Sequence, residues 1–143
     1  MAQEVSIGKE VEEAFKKLRF SRADHNIGMI LKINKDAMAL EIEYNYTEPD
    51  TTLEAIKEDL EDQNPRFILF SYKWQLGDRV NFPIIFIYFS PEGSSPYLNM
   101  LYSRLKPILS NKLNIQRQYE VRELDEEDVL TEAWLLERLK GAK

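Results

Sequence analysis

Two long apolar runs constrain the fold of this chain more than any other feature. Residues 67–74 and 80–89 are almost continuously hydrophobic. A strand with one face in water alternates instead, so both runs are expected as central strands covered on both faces. Leu76-Gly77-Asp78-Arg79 is the turn between them. Pro83 has no N–H to give to a ladder, so the second run needs a bulge or an unpaired site there. Covering both faces of a sheet takes helices, and a chain of 143 residues can supply them within one domain.

The rest of the chain supplies those partners. Ser6 is expected to cap a first helix whose core face is Ile7, Val11, Ala14, Phe15 and Leu18. Ile27, Met29, Leu31 and Ile33 alternate as a strand, 34–36 form a turn, and Met38, Leu40, Ile42, Tyr44 and Tyr46 alternate as a second strand. Glu41, Glu43 and Asn45 take its other face, and the pair reads as an antiparallel hairpin. Thr51 with Glu54 reads as a capping box for a short helix carrying Leu53, Ile56 and Leu60, with Pro65 beyond its end. Residues 90–94 are a loop. Ile115, Arg117, Tyr119 and Val121 alternate as a last strand, reached through a long helix and so parallel to its neighbour. Thr131 suits the cap of a terminal helix bearing Trp134, Leu135 and Leu139, where Trp134 is a packing residue. The fold class is therefore α/β in the sense of an α+β mixed sheet: one domain over 1–143, with a central mixed sheet and helices on both faces.

The long helix, expected over 95–111, holds the informative exception. Ser95 and Pro96 suit its start. Leu98, Leu101, Leu105, Ile108 and Leu109 form the stripe that should face the core. Met100 points almost directly away from that stripe, with Tyr97 and Arg104 beside it. Outward Met, Tyr and Arg are the residues that anchor protein interfaces, although single exposed apolar residues are common on any surface. Pro107 is expected to kink this helix or end its regular part. The far end of the first helix is basic, with Lys16, Lys17, Arg19 and Arg22. That cluster suits the helix dipole and equally a binding edge.

Little points to catalysis. There is no cysteine, and His25 is the only histidine. No nucleophile motif, glycine-rich phosphate loop or metal-ligand spacing is found, so neither an enzyme nor a cofactor is expected. A net charge of −6 argues against nucleic acid and anionic membranes as partners. No stretch is long enough to span a membrane, and a cytoplasmic protein is expected.

Several segments carry a family resemblance. They are Asn64-Pro65-Arg66-Phe67 leading to Ser71-Tyr72-Lys73, then Gly77-Asp78-Arg79-Val80 with Pro83, and Ser90-Pro91-Glu92-Gly93 leading to Met100-Leu101-Tyr102. Lys17-Leu18-Arg19-Phe20 and the tail from Glu127 through Trp134-Leu135-Leu136 to Leu139 complete the set. Together these resemble the glia maturation factor family of the actin-depolymerising factor homology superfamily, over nearly the whole chain. The superfamily's element order agrees with the one read above.

The resemblance implies a monomeric, non-enzymatic regulator at cortical actin sites. Its partner would be the branch-nucleating actin-related protein (Arp2/3) complex, whose nucleation it would inhibit and whose branches it would dissociate. Tyr97, Met100, Ser103 and Arg104 would form the contact, with help from Ala2, Gln3, Arg19 and Arg22 in the N-terminal region. Asp78 and Arg79 would make a second contact, needed for branch removal and reaching the first actin subunit of a branch. The cofilins, which bind actin directly, resemble this chain at Pro91, Met100 and Tyr102. Their basic residues three positions and one position before the methionine are Tyr97 and Asn99 here. A direct actin-binding or severing domain of cofilin or coactosin type is the alternative. The family's regulatory serine near the start is not matched by Met1-Ala2-Gln3-Glu4, and Pro107 departs from its helix.

Overall fold

The computed structural model describes residues 4–126 and 128–141. In chain order the elements are β1 (Ser6–Ile7), α1 (Lys9–Arg19), β2 (Ile27–Asn34), β3 (Ala39–Tyr46), α2 (Leu53–Glu58) and β4 (Arg66–Ser71). Then follow β5 (Trp74–Leu76), β6 (Arg79–Asn81), β7 (Ile84–Phe89), α3 (Pro96–Leu113), β8 (Arg117–Val121) and α4 (Glu132–Gly141). Six strands form one mixed sheet in the order β1-β3-β2-β4-β7-β8, and β5 pairs only with β6.

The centre of that sheet lies where the apolar runs place it. β4 pairs antiparallel with β2 and β7, and 67–70 and 85–89 are buried on both faces. Val11, Phe15 and Leu18 of α1 pack with Leu101, Tyr102, Leu105 and Leu109 of α3 on one face. Leu53 and Ile56 of α2 pack with Trp134, Leu135 and Leu139 of α4 on the other. β8 runs parallel to β7, from Ile85 opposite Arg117 to Phe89 opposite Val121. Trp134 is a packing residue, edge-on to Tyr119, and its N–H is capped by Thr131 Oγ1 at 3.2 Å.

Several local expectations are corrected. The apolar runs do not stay in the sheet for their whole length. Lys73, Asn81 and Pro83 break them, and the middle of the segment leaves as the β5–β6 hairpin, with Val80 and Phe82 exposed. Pro83 sits where the chain returns to the sheet, and its carbonyl accepts from the Tyr72 N–H at 3.1 Å. Ser6 caps no helix. It lies in β1, its N–H donates to Met38 O at 2.9 Å, and Gly8 occupies the N-cap of α1. Thr52, not Thr51, caps α2, because Thr51 is buried and its hydroxyl donates to Glu48 O. Met38 belongs to the turn before β3, with φ of 49°. α3 continues through Pro107 to Leu113 without interruption of its helical assignment.

Candidate protein-docking surface

α3 is held firmly at both ends, which fixes the direction of its outer face. At the start, Ser95 Oγ accepts from the Leu98 N–H at 3.1 Å and Pro96 takes the first helical position. At the end, Asn114 adopts the left-handed conformation that closes a helix. Arg19 reaches across from α1 and donates from Nη2 to Leu113 O at 2.9 Å and to Asn114 O at 3.2 Å. Lys112 pairs with Glu12 of α1 at 2.8 Å, and that contact holds the Glu12 carboxyl below its ordinary range.

Tyr102 sets the rotation of the helix. It is 1% exposed, and its Oη accepts from the Ile33 N–H at 2.8 Å. Its ring lies 5.2 Å from that of Phe67, and burial pushes its phenol above the ordinary value. The buried residues of α3 are Leu101, Tyr102, Leu105, Leu109, Ser110 and Leu113. The core stripe is thus turned toward Tyr102 and Leu113 relative to the one read from leucine spacing alone. Ile108, expected in the core, falls at the edge of the new stripe and is 56% exposed.

The outer face of α3 therefore carries more apolar surface than its sequence pattern suggests. Tyr97 is 49% exposed and Met100 41%. Arg104 is exposed and makes no ion pair among the described residues. These three residues share one side of the helix with Ile108, which extends the patch by about one turn. Ser103 is exposed too, but its hydroxyl donates to Asn99 O at 2.7 Å, within its own helix. Asn99 is occupied locally as well: Ser94 Oγ donates to its Oδ1 at 2.7 Å. The arrangement suits docking of a protein, with a flexible Met and an aromatic ring as apolar contacts and a free guanidinium beside them.

The hairpin tip is carried by separate elements, β5 and β6. Gly77 turns the chain at φ of 64°, a conformation that favours glycine, and the side chain of Gln75 donates to Gly77 O at 2.8 Å. Asp78 and Arg79 are exposed, and neither side chain makes an ion pair or hydrogen bond among the described residues. Two exposed apolar residues, Val80 and Phe82, follow the tip.

The N-terminal residues named from sequence are less uniform. Ala2 and Gln3 lie outside the described residues. Arg22 is exposed, whereas the guanidinium of Arg19 is committed to the end of α3. Among the described residues no group of His, Asp and Glu could hold a metal ion, and no helix is long and apolar enough to cross a membrane.

A six-stranded mixed sheet, flanked by paired helices, thus presents the outer face of one long helix to solvent. The chain belongs to the cofilin/tropomyosin-type actin-binding protein family, whose model matches residues 4–140. Within it, the similarity is to glia maturation factors. The chain is 34% identical over 135 residues to glia maturation factor of Drosophila melanogaster, covering 94% of each chain. It is 35% identical over 136 residues to glia maturation factor beta of Mus musculus, covering 93% of this chain and 91% of the relative. The solution structure of glia maturation factor from Caenorhabditis elegans superposes with a TM-score of 0.72 at 35% identity, over 88% of this chain and 93% of that one.

Proposed function

We propose that this chain is a non-enzymatic regulator that binds the Arp2/3 complex through the outer face of α3, inhibits nucleation and promotes debranching at cytoplasmic, cortical actin sites. It acts as a monomer in this reading. Tyr97, Met100, Ser103 and Arg104 form the contact, Ile108 extends it, and the N-terminal region, with Ala2, Gln3, Arg19 and Arg22, assists it in this reading. Asp78 and Arg79 supply a second contact, to the first actin subunit of a branch. The observation that carries the reading is an exposed Met100 whose two neighbouring positions lack positive charge. Tyr97 is neutral and outward, and the Asn99 side chain is engaged by Ser94. The basic pair expected for a cofilin-like grip on actin is absent, while the apolar anchor is retained. The glia maturation factor relatives support the same reading.

The second reading, direct binding and severing of actin as in cofilin or coactosin, rests on that retained Met100 and on the family's actin-binding description. Fluorescence titration against the purified Arp2/3 complex and against monomeric actin separates the two. The expected result is saturable binding to the complex with little or none to monomers. Comparable affinity for actin monomers would replace the first reading with the second.

A further inference from the structure

β3 is an incompletely paired edge. Its inner side pairs with β2 from Ala39 to Tyr46 apart from a bulge at Glu43, but on its outer side β1 meets only Ala39 and Leu40. From Glu41 to Tyr46 the outward backbone groups have no partner among the described residues. An edge of this kind is a template for another extended chain. A cavity of about 570 Å³ opens beside the same stretch, lined by residues of α1, β2 and β3. Leu18, Met29 and Ile42 give it an apolar lining, and Glu10, Glu13 and Lys17 of α1 give it a charged one.

The charge of this region is predominantly negative. Glu10 and Glu13 are exposed and make no ion pair among the described residues, and Lys17 is the only cation among the lining residues. On the strand Glu41 adds one further carboxylate, which accepts from Asn34 Nδ2 at 3.0 Å, whereas the charge of Glu43 is balanced by Arg66 at 2.7 Å. We infer that this edge docks a basic, extended segment of a partner protein, which adds a strand to β3 and places an apolar side chain in the cavity. Backbone pairing would supply affinity, and alternate side chains entering the cavity would supply selectivity. A second copy of this chain is the poorer occupant, because its own β3 would bring Glu41 and Glu43 against an edge that already carries them. The site shares no residue with the outer face of α3 or with the hairpin tip.

The probe is a blocked Lys-Thr-Val-Thr-Lys-Thr hexapeptide, whose lysines and valine share one face of the strand, titrated into the intact protein. Amide shifts and hydrogen exchange are the readouts. The peptide should shift amides of β3 and α1 and slow exchange along 41–46. Glu10→Lys combined with Glu13→Lys should weaken binding about tenfold, since two favourable rim charges become repulsive. The same peptide N-methylated at alternate amides should not bind, because it cannot complete the ladder. Absence of binding at millimolar peptide, equal binding of the N-methylated peptide or of the same peptide with glutamate in place of lysine, or shifts that miss β3 would each overturn the inference.

Discussion

Replacing Tyr102 with Phe tests whether α3 has the rotation on which its docking face depends. The ring is retained, so its packing at 5.2 Å from Phe67 should survive. What is lost is the oxygen that accepts the Ile33 N–H at 2.8 Å. Ile33 is 6% exposed and lies beyond the stretch of β2 that pairs with β4, so no other strand accepts that proton. An orphaned buried donor costs about 1–3 kcal/mol, which puts Tyr102→Phe at about 2 kcal/mol. For a domain of this size that is a fall of about 7 °C in Tm. Urea unfolding followed by circular dichroism measures the change directly. Affinity for any partner of the outer face should be unchanged, because Tyr102 presents nothing there. A loss below about 0.5 kcal/mol, the range of ordinary surface substitutions, would show that Ile33 is otherwise satisfied and that Tyr102 does not set the helix.

Two further outcomes are expected. Asp78→Ala with Arg79→Ala should leave affinity for the soluble Arp2/3 complex nearly intact yet slow branch dissociation, seen as longer branch lifetimes by single-filament microscopy at saturating protein; wild-type lifetimes would remove the tip from the mechanism. Alkaline pH should destabilise the fold, because burial first of all holds the phenols of Tyr72, Tyr88 and Tyr102 above the ordinary value. Their contribution is complete below the unfolded value of about pH 10 and is lost as pH rises through the higher folded values. Urea midpoints that stay level from pH 9 to above about 11 would contradict this.

The sheet and its two helical layers were legible because their signals are periodic and dense. Phe67 to Phe70 and Ile85 to Phe89 can hardly be placed anywhere but between two layers. The errors fell where a polar or neutral side chain decides the outcome. Ser6 looks like a cap until its N–H finds Met38 across the sheet, and Thr51 outcompetes Thr52 as a cap only until its burial is known. The departure of the β5–β6 hairpin follows from Lys73, Asn81 and Pro83, three residues easily overlooked in so apolar a stretch. On α3 the outward direction of Met100 was readable from leucine spacing. The exposure of Ile108 was not, because a tyrosine counts as ambiguous in a hydrophobic stripe, and only the bond to Ile33 shows that Tyr102 belongs to the core. Arg19 suits the helix dipole or a binding edge by its sequence, and nothing in that sequence announces a carbonyl partner at Leu113.

The central claim is that the exposed face around Met100 carries partner binding. The direct measurement is the affinity of Met100→Ala combined with Arg104→Ala for the purified Arp2/3 complex, taken beside the unfolding free energy of the same variant. Both side chains are exposed, so stability should change by no more than about 0.5 kcal/mol. Binding should weaken by about 2 kcal/mol or more, roughly thirtyfold, as expected when the centre of an interface is truncated. Undiminished affinity in a fully folded variant would contradict the account and move the interface away from α3.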